Sequence, residues 1–439
     1  MVFRRGQLGA AILLVSLCSA SSFNAAATLS GEPELRVSEK LVATDWPWWR
    51  GPTRDGQAGA TPLPTQFSDS QNIEWKTPVP GRGHSSPIVV GEQIFLTTAD
   101  EQSLVHSVMA FDLNSGQQLW QRAVSQGGFP EKNHPKNTEA SPTLASDGER
   151  LFATFFHHQH IELVALDLTG QELWRVKAGE FNPKMFEYGY APSPLLYGAN
   201  VIVSAEYDGQ SFIAAFDRTT GDERWRTARP RSISYSSPVA AHVAGRDQLF
   251  ISGQVKVCSY DPSNGQLLWE ADGTTNATCG TAIWDDQTVY ASGGFPKAET
   301  LAVRGDGSDQ VLWRNNQSCY EQSMILVDDC VYALNDRGVL YCWRSGDGKQ
   351  MWRERLEGPV SASPIYAGGH LYWANEAGTV YVIKPSAEKL QLVATNRLGS
   401  EAFASPAVSG RRLLLRVASG KGEQRQEMLY CIATPQPEA

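Results

Sequence analysis

The 439-residue sequence predicts an all-β fold, an eight-bladed β-propeller of four-stranded antiparallel blades closed into a ring by an N-terminal outer strand. Three observations predict it. The composition, with 39 Gly, 13 Trp and only 19% charged residues, is typical of a turn-rich β protein rather than a helical one. A unit of four short strands recurs at the spacing of propeller blades. The last unit supplies only three strands, and a strand that could complete it precedes the first unit.

The repeated unit contains a strand that ends in a small residue, an apolar residue and Asp, followed by a Gly turn and a Trp. In the first copy these are Asp112, Gly116 and Trp120. A large flat indole can wedge between blades, and the turn Gly supplies a backbone conformation that other residues adopt at a cost. The Trp position recurs about every 40 to 50 residues, at Trp75, Trp120, Trp174, Trp225, Trp269, Trp313 and Trp352, with Leu392 in a later copy.

The strand around Trp75 has no blade of its own. Residues 72–77 fit the vacant outer position of the eighth unit, so we expect them to pair with the strand that ends near Cys431. Such a pairing leaves no exposed sheet edge in the ring.

A column of hydroxyl residues marks the start of each innermost strand, called strand A, with strands B, C and D following outwards. We expect these residues to be small so that eight inner strands can converge, and to bond to a neighbouring blade. The alternative is that the ring of hydroxyls lines a channel. The column contains Ser86, Ser141, Ser193, Ser237, Thr281, Ser323, Ser363 and Ser405.

Two residues before each hydroxyl lies a mixed column of polar and aromatic residues. These should surround the mouth, the central opening on the face where the D–A loops and B–C turns gather, which is the usual place for a propeller ligand. The column contains His84, Glu139, Ala191, Tyr235, Cys279, Glu321, Ser361 and Phe403.

The candidate site is this mouth together with its two longest D–A loops, residues 127–138 and 179–189. A small ligand or a peptide could bind there, and a solvated mouth without a ligand is the alternative. The predicted ligand-binding residues are His84, His134, Lys136, Asn137, Glu139, Tyr188, Tyr190, Tyr235, Tyr320 and Glu321. We assign no catalytic residue and no metal ligand.

Two other constellations are expected to be structural. His157, His158 and His160 could hold a metal, but adjacent strand residues point to opposite faces, so a surface turn explains them better. Six cysteines follow the N-terminal region, none adjacent to another. Cys342 and Cys431 should be buried as small apolar residues, and only Cys279 and Cys319 look close enough to bond.

The N-terminal region divides into three predicted segments. Residues 1–27, with Arg4 and Arg5 before a short apolar run, are typical of a secretory signal, and the bulky residue before Cys18 argues against a lipoprotein. Residues 28–45 should be a flexible linker. Residues 46–71 are rich in Trp and should pack on the propeller, which spans residues 72–434 and leaves a tail of residues 435–439.

Three indoles in water would make an apolar patch, so Trp46, Trp48 and Trp49 should be covered. We expect them on the underside, the face of the A–B and C–D turns, or on a blade flank, with the mouth left open. The alternative is that they form a plug that docks a partner.

The charge and hydropathy of the chain restrict its partners. The formal charge of −9 argues against nucleic-acid binding and against docking on anionic lipid. No segment after the N-terminal run predicts a membrane span, and we expect a monomer.

The repeats resemble the quinoprotein-type propeller repeat of exported bacterial proteins, with its Ala-x-Asp-x-x-Thr-Gly-x-x-x-Trp signature. The opening at residues 46–56 and the segment at residues 134–142 are similar to those of planctomycete propellers of this type, and outer-membrane assembly factor B is a related non-enzymatic protein. The resemblance covers about residues 46–434 and implies the fold more strongly than a function.

Enzymes of this superfamily hold pyrroloquinoline quinone with adjacent cysteines, a calcium cage and an Asp base. This sequence has no adjacent cysteines and no assignable cage, so we expect neither the quinone nor calcium. The expected function is an exported, non-catalytic binding or scaffold module for a protein or small ligand of the periplasm or cell envelope. The alternatives are a quinone-dependent or other small-molecule dehydrogenase, or a carbohydrate-active enzyme that uses Glu139 and Glu321 at the mouth.

Overall fold

A computed structural model describes Leu35, residues 37–420 and residues 422–434. The predicted signal peptide and the predicted tail lie outside these residues. The described chain folds into eight four-stranded antiparallel sheets, which confirms the all-β propeller.

Each sheet is one blade, and in blades 1 to 7 the strands run outwards from the central axis in chain order. Strand β1 (Ile73–Val79) precedes blade 1. Blade 1 contains β2 (Ile88–Val90), β3 (Gln93–Asp100), β4 (Val105–Asp112) and β5 (Gln118–Gln126). Blade 2 contains β6 (Ala145–Ser146), β7 (Arg150–His157), β8 (His160–Asp167) and β9 (Glu172–Glu180). Blade 3 contains β10 (Leu195–Tyr197), β11 (Asn200–Ala205), β12 (Phe212–Asp217) and β13 (Glu223–Ala228). Blade 4 contains β14 (Val239–Val243), β15 (Arg246–Gly253), β16 (Lys256–Tyr260) and β17 (Leu267–Asp272).

The second half of the ring follows the same plan. Blade 5 contains β18 (Ile283–Trp284), β19 (Thr288–Gly293), β20 (Glu299–Arg304) and β21 (Val311–Asn315). Blade 6 contains β22 (Ile325–Val327), β23 (Cys330–Leu334), β24 (Val339–Arg344) and β25 (Gln350–Arg355). Blade 7 contains β26 (Ile365–Ala367), β27 (His370–Ala374), β28 (Thr379–Lys384) and β29 (Gln391–Arg397). Blade 8 contains β30 (Ala407–Ser409), β31 (Arg412–Ser419), a 3₁₀ turn (Gly422–Gln424), β32 (Gln426–Ile432) and, from the other end of the chain, β1.

The ring closes at a seam between β1 and β32. The two strands pair antiparallel, with Trp75 opposite Cys431 and Thr77 opposite Leu429. The predicted closure is therefore confirmed. It joins residues near the two ends of the described chain, so blade 8 exists only when both ends are in place.

The regular spacing of the Trp column has a packing cause. Trp75 donates its Nε1–H to the carbonyl of Leu113 at 3.0 Å, and Trp120 does the same to Leu168 at 3.1 Å, each in the C–D turn of the next blade. The turn Gly lies under the indole, because a Cβ built on Gly116 would come within 2.3 Å of the Trp75 ring. The column therefore joins blades and does not form a site, as expected.

The apolar core lies between neighbouring blades. Val89 of blade 1, Leu414 of blade 8 and Ile365 of blade 7 belong to one buried cluster. Each further pair of neighbouring blades shares a cluster of its own. Full burial of a Val, Leu or Ile side chain contributes about 1.5–3 kcal/mol, so the clusters hold neighbouring blades against each other.

The described cysteines are all free thiols. Cys342 and Cys431 are fully buried, as predicted. The suggested bond between Cys279 and Cys319 is not formed; the Cys319 thiol instead lies 3.6 Å from the carbonyl oxygen of Leu334. Among the described residues, no helix is long and apolar enough to cross a membrane.

The described part of the predicted linker packs on the ring rather than standing free of it. Val37 is buried, and its carbonyl accepts a hydrogen bond from Arg218 at 2.8 Å. Asp45 is also buried and accepts the Gly91 N–H at 2.8 Å. Residues 37–45 are therefore held by contacts with blades, and the boundary of the linker stays a prediction.

Residues 46–58, here called the N-terminal clasp, cross the underside of the ring. Their backbone bonds to Val89 of blade 1 at one end and to Tyr366 of blade 7 at the other. Between these, the Arg54 guanidinium donates to the carbonyl of Leu196 in blade 3 at 3.0 Å. Trp46 and Trp48 are buried there, which agrees with the predicted face.

Candidate functional site

A ring of hydroxyls surrounds the central channel at the start of the inner strands. At seven blade junctions, the backbone N–H of one blade donates to the hydroxyl of the next at 2.8–3.0 Å. These junctions include the seam, where the Ser405 N–H donates to the Ser86 hydroxyl. The bonds run from Ser86 to Thr143, Thr143 to Ser193, Ser193 to Ser237, Thr281 to Ser323, Ser323 to Ser363, Ser363 to Ser405 and Ser405 to Ser86. The hydroxyl column is thus a connection between blades, as predicted.

Blade 2 enters this ring two residues later than its sequence predicts. Thr143, not Ser141, accepts from Ser86 and donates to Ser193. Ser141 therefore takes the place two residues earlier, where Glu139 was expected. The mixed column of the mouth is corrected to Ser141 in blade 2, and Glu139 does not line the cavity.

The mouth holds a cavity of about 210 Å³, here called the mouth cavity. All eight members of the corrected mixed column line it, together with hydroxyls of the ring. Its lining residues are Trp49, His84, Ser86, His134, Lys136, Asn137, Ser141, Thr143, Tyr188, Ala191, Ser193, Tyr235, Ser237, Cys279, Thr281, Tyr320, Glu321, Ser361, Ser363, Phe403 and Ser405.

Trp49 supplies the floor of the mouth cavity. The clasp inserts this side chain into the channel from the underside, and its Nε1–H donates to the Thr281 hydroxyl of the ring at 3.0 Å. The clasp lies on the underside, as predicted. The Trp49 ring, however, extends from the underside into the channel and closes it. The mouth stays open above it.

Aromatic side chains form much of the wall. His84 stacks on Phe403 with ring centroids 4.4 Å apart and planes at 8°. Tyr188 contacts His134 edge-on at 4.8 Å and lies 6.4 Å from Tyr235 in a stacked arrangement. Burial, with the charge of Arg82 and its neighbours, lowers the pKa of His84 well below its usual range, so this ring is neutral.

One charged cluster crosses the mouth. Nζ of Lys136 lies 2.7 Å from Oε1 of Glu376 and 3.5 Å from Oε1 of Glu321, although Lys136 belongs to the loop before blade 2 and the carboxylates to blades 7 and 6. Burial alone would lower the pKa of Lys136, but these carboxylates raise it. The Ser361 hydroxyl lies within hydrogen-bond distance of both carboxylates.

The structure brings together eight of the ten predicted residues: His84, His134, Lys136, Asn137, Tyr188, Tyr235, Tyr320 and Glu321 line the mouth cavity. Tyr190 does not. It is buried between blades and donates to the carbonyl of Ser204 at 2.9 Å, because Gly189, at φ +78°, turns the chain between Tyr188 and Tyr190.

Glu139, the second exception, lies behind the cavity wall. Its carboxylate accepts the Asn133 amide at 2.7 Å, and burial raises its pKa to about 7. The sequence did not indicate Glu376 or Trp49. Glu376 lies in an ordinary-looking turn, and no local pattern marks its approach to Lys136 across the mouth.

The histidine turn remains a surface feature. His157 and His160 face each other at 5.7 Å between centroids, edge to face. Within the described residues, no group of three or more His, Cys, Asp or Glu side chains is arranged to hold a metal ion.

The fold and the ring of hydroxyl contacts define the class, an eight-bladed propeller of the quinoprotein-type repeat. A family model described as outer membrane protein assembly factor BamB matches residues 66–127, 105–354 and 344–425, so the chain belongs to the BamB family.

Curated relatives carry the same name. BamB of Yersinia pestis is 24% identical over 394 residues, covering 82% of this chain and 90% of that protein. BamB of Alkalilimnicola ehrlichii is 26% identical over 195 residues, covering 42% of this chain and 49% of that protein.

Solved structures show that two functional groups share the fold. BamB from Moraxella catarrhalis superposes with a TM-score of 0.58 at 14% identity, covering 81% of this chain and 96% of that one. A europium-containing methanol dehydrogenase superposes with a TM-score of 0.64 at 12% identity, covering 87% and 91%. These likenesses concern the fold alone.

Proposed function

We propose that this protein is an exported, non-catalytic binding or scaffold module of the cell envelope, and that its protein or small-molecule ligand binds at the mouth. The observation that carries the proposal is the mouth cavity: a preformed, aromatic-walled recess with a closed floor. Such recesses with a few convergent polar groups are the usual form of a binding site.

The family supports the binding role. The Yersinia pestis relative, which covers 82% of this chain, and the family model are both named outer membrane protein assembly factor BamB. An assembly factor acts by contact with other proteins, and a propeller offers loops at its mouth for that purpose. The family name also supports export to the envelope.

The residues of the mouth do not fit the quinone cofactor of the dehydrogenases that share the fold. Pyrroloquinoline quinone is a tricarboxylate, so it needs surplus positive charge around it. The mouth cavity offers Lys136, which already faces Glu321 and Glu376. Two carboxylates around one ammonium repel a polyanion unless a bound cation lies between them. In the part of the chain that the structure describes, no group of three or more His, Cys, Asp or Glu side chains is arranged to hold such a metal ion. This lining therefore argues against the quinone at the mouth.

The exposed rim of the mouth provides the test. Tyr188 is 37% exposed at the mouth, and Leu392 is 44% exposed on the outer strand of blade 7. We expect Tyr188→Ser to lose partners that the wild type retains from an envelope extract, and Leu392→Ser, the matched control, to retain them. Equal recovery by both variants would remove the mouth from the proposal.

A second measurement addresses the enzyme alternative. The purified protein is titrated with pyrroloquinoline quinone and calcium in the presence of an alcohol and an artificial electron acceptor. We expect no saturable reduction of the acceptor. Turnover that depends on the quinone would overturn the non-catalytic proposal.

A further inference from the structure

We propose that the mouth cavity binds a small aromatic amine, with the ammonium group of the ligand held at Glu321 and the aromatic ring against the tyrosine wall. This inference rests on the proposed binding function of the mouth and adds the chemical class of the ligand.

The position of the Lys136 ammonium group indicates where a ligand ammonium could bind. Nζ of Lys136 reaches across the mouth to Glu376 at 2.7 Å, while its distance to Glu321 is 3.5 Å. The mouth therefore already holds one primary ammonium ion, tightly at one carboxylate and loosely at the other. The Glu321 carboxylate is left for a second cation.

Proton counting leads to the same subsite. The Ser361 hydroxyl contacts both Glu321 and Glu376 but has a single proton, so it can donate to only one carboxylate at a time. The charges of Lys136, Glu321 and Glu376 sum to −1 when Lys136 is protonated. One bound monovalent cation would neutralise these three side chains.

The arginines whose charge acts on His84 are each paired with a carboxylate and so do not cancel this deficit. Arg416 is paired with Glu427 at 2.5 Å. Arg425 is paired with Glu401 at 2.9 Å, and Arg82 approaches Glu101 at 3.4 Å. Beside the cluster, Asp336 accepts the Tyr320 N–H at 3.2 Å and adds a third carboxyl group. Burial raises the pKa of Asp336 to about 6, so it is mostly ionised at neutral pH and increases the attraction for a cation.

The walls favour an aromatic body on that cation. Tyr188, Tyr235 and Tyr320 line the mouth cavity and Trp49 closes it. Aromatic faces attract cations by about 0.5–2 kcal/mol and bury apolar rings. An aromatic ring with an ammonium on a short stem satisfies both the charge and the walls.

An unused acceptor lies in the same cavity. Nε2 of His84 is buried and has no hydrogen-bond partner among the described residues. Because the imidazole is neutral, one of its nitrogens is an acceptor and can take a hydrogen bond from a donor group on the ligand.

Calorimetric titration of the full chain at pH 7 tests the inference with three probes of one shape. These are 2-phenylethylamine, the neutral 2-phenylethanol and the anionic 3-phenylpropanoate. We expect the amine to bind at least about tenfold more tightly than the alcohol, the value of one charge-assisted hydrogen bond, and the anion not to bind.

Two variants separate the subsite from a general effect of charge. Glu321→Gln should weaken the amine at least about tenfold and leave the alcohol unchanged. Glu187→Gln is the matched control, because Glu187 pairs with Lys132 at 3.1 Å outside the mouth cavity, and it should change neither. Lys136→Met removes the internal competitor, so amine binding should become tighter.

Several results would overturn the inference. These are equal binding of amine and alcohol, tighter binding of the anion, no binding of any probe, no effect of Glu321→Gln, or loss of amine binding in Lys136→Met with an unchanged thermal transition. The proposed function fails by a different result, equal partner recovery by Tyr188→Ser and Leu392→Ser. The two failures are therefore distinguishable.

Discussion

The turn glycine at the seam gives a quantitative test of ring closure. Gly116 has φ +70°, and a Cβ there would lie 2.3 Å from Cε3 of Trp75 and 2.7 Å from Oγ1 of Thr77. A side chain in the left-handed region costs about 1–2 kcal/mol, and forced overpacking adds about 1–3 kcal/mol. Gly116→Ala should therefore lower the free energy of unfolding by about 2–5 kcal/mol.

Two other glycines separate these contributions. Gly245 has φ +79° but no atom within 4 Å of its Cβ position, so Gly245→Ala should cost only about 1–2 kcal/mol. Gly346 has neither a positive φ nor a close neighbour, so Gly346→Ala should be nearly neutral. The difference between Gly116→Ala and Gly245→Ala measures the contact with Trp75.

A fourth glycine compares the seam with a continuous part of the ring. A Cβ on Gly265 would approach Trp225 at 2.3 Å, the same contact between blades 3 and 4. Urea unfolding followed by circular dichroism should give Gly116→Ala and Gly265→Ala similar free energies of unfolding. Both values should be lower than those of Gly245→Ala and Gly346→Ala. If Gly116→Ala behaves like Gly245→Ala, the seam is not packed as described and the reasoning is refuted.

Three further predictions concern single side chains. Trp49→Ala should lower the free energy of unfolding by about 2 kcal/mol, through a lost hydrogen bond and a half-buried indole; an unchanged urea midpoint would contradict the docked floor. Arg416→Met leaves the buried Glu427 with a weaker set of partners and should cost about 3 kcal/mol in the same assay, and adding Glu427→Gln should recover part of the loss. Glu139 has its folded pKa raised from 4.5 to about 7, so the folded state holds this proton more tightly and loses stability as the pH rises through that range. Glu139→Gln should therefore be more stable than the wild type at pH 8 but not at pH 4, and unfolding curves with parallel pH dependence would contradict the shift.

The propeller could be predicted from the sequence because its determinants are local and repeated. A turn Gly, a Trp and a hydroxyl recur at the period of a blade. Five of the indoles donate to a carbonyl in the C–D turn of the next blade. Seven of the hydroxyls accept a backbone N–H from the neighbouring blade. The pattern is weak in any one blade, but its repetition around the ring makes the fold predictable. The seam could be predicted because Trp75 had no other blade to complete.

The candidate site was harder to predict from the sequence, for two physical reasons. In blade 2 the Ser141-Pro142 pair imitates the repeat, but Thr143 makes the ring bonds, so the expected position of Glu139 was shifted by two residues. The contact between Lys136 and Glu376 joins positions 240 residues apart, and only the closed circle brings them together.

The clasp has a consequence for the order in which the chain acquires its structure. Its docking surface spans blades 1 to 7, so a chain emerging from its N-terminus carries Trp46, Trp48 and Trp49 long before their burial partners exist. Contacts of such sequence separation are slow to form. During this interval the three indoles are available to any apolar surface nearby, and the newly made protein needs either rapid completion or protection by another protein until blade 7 arrives.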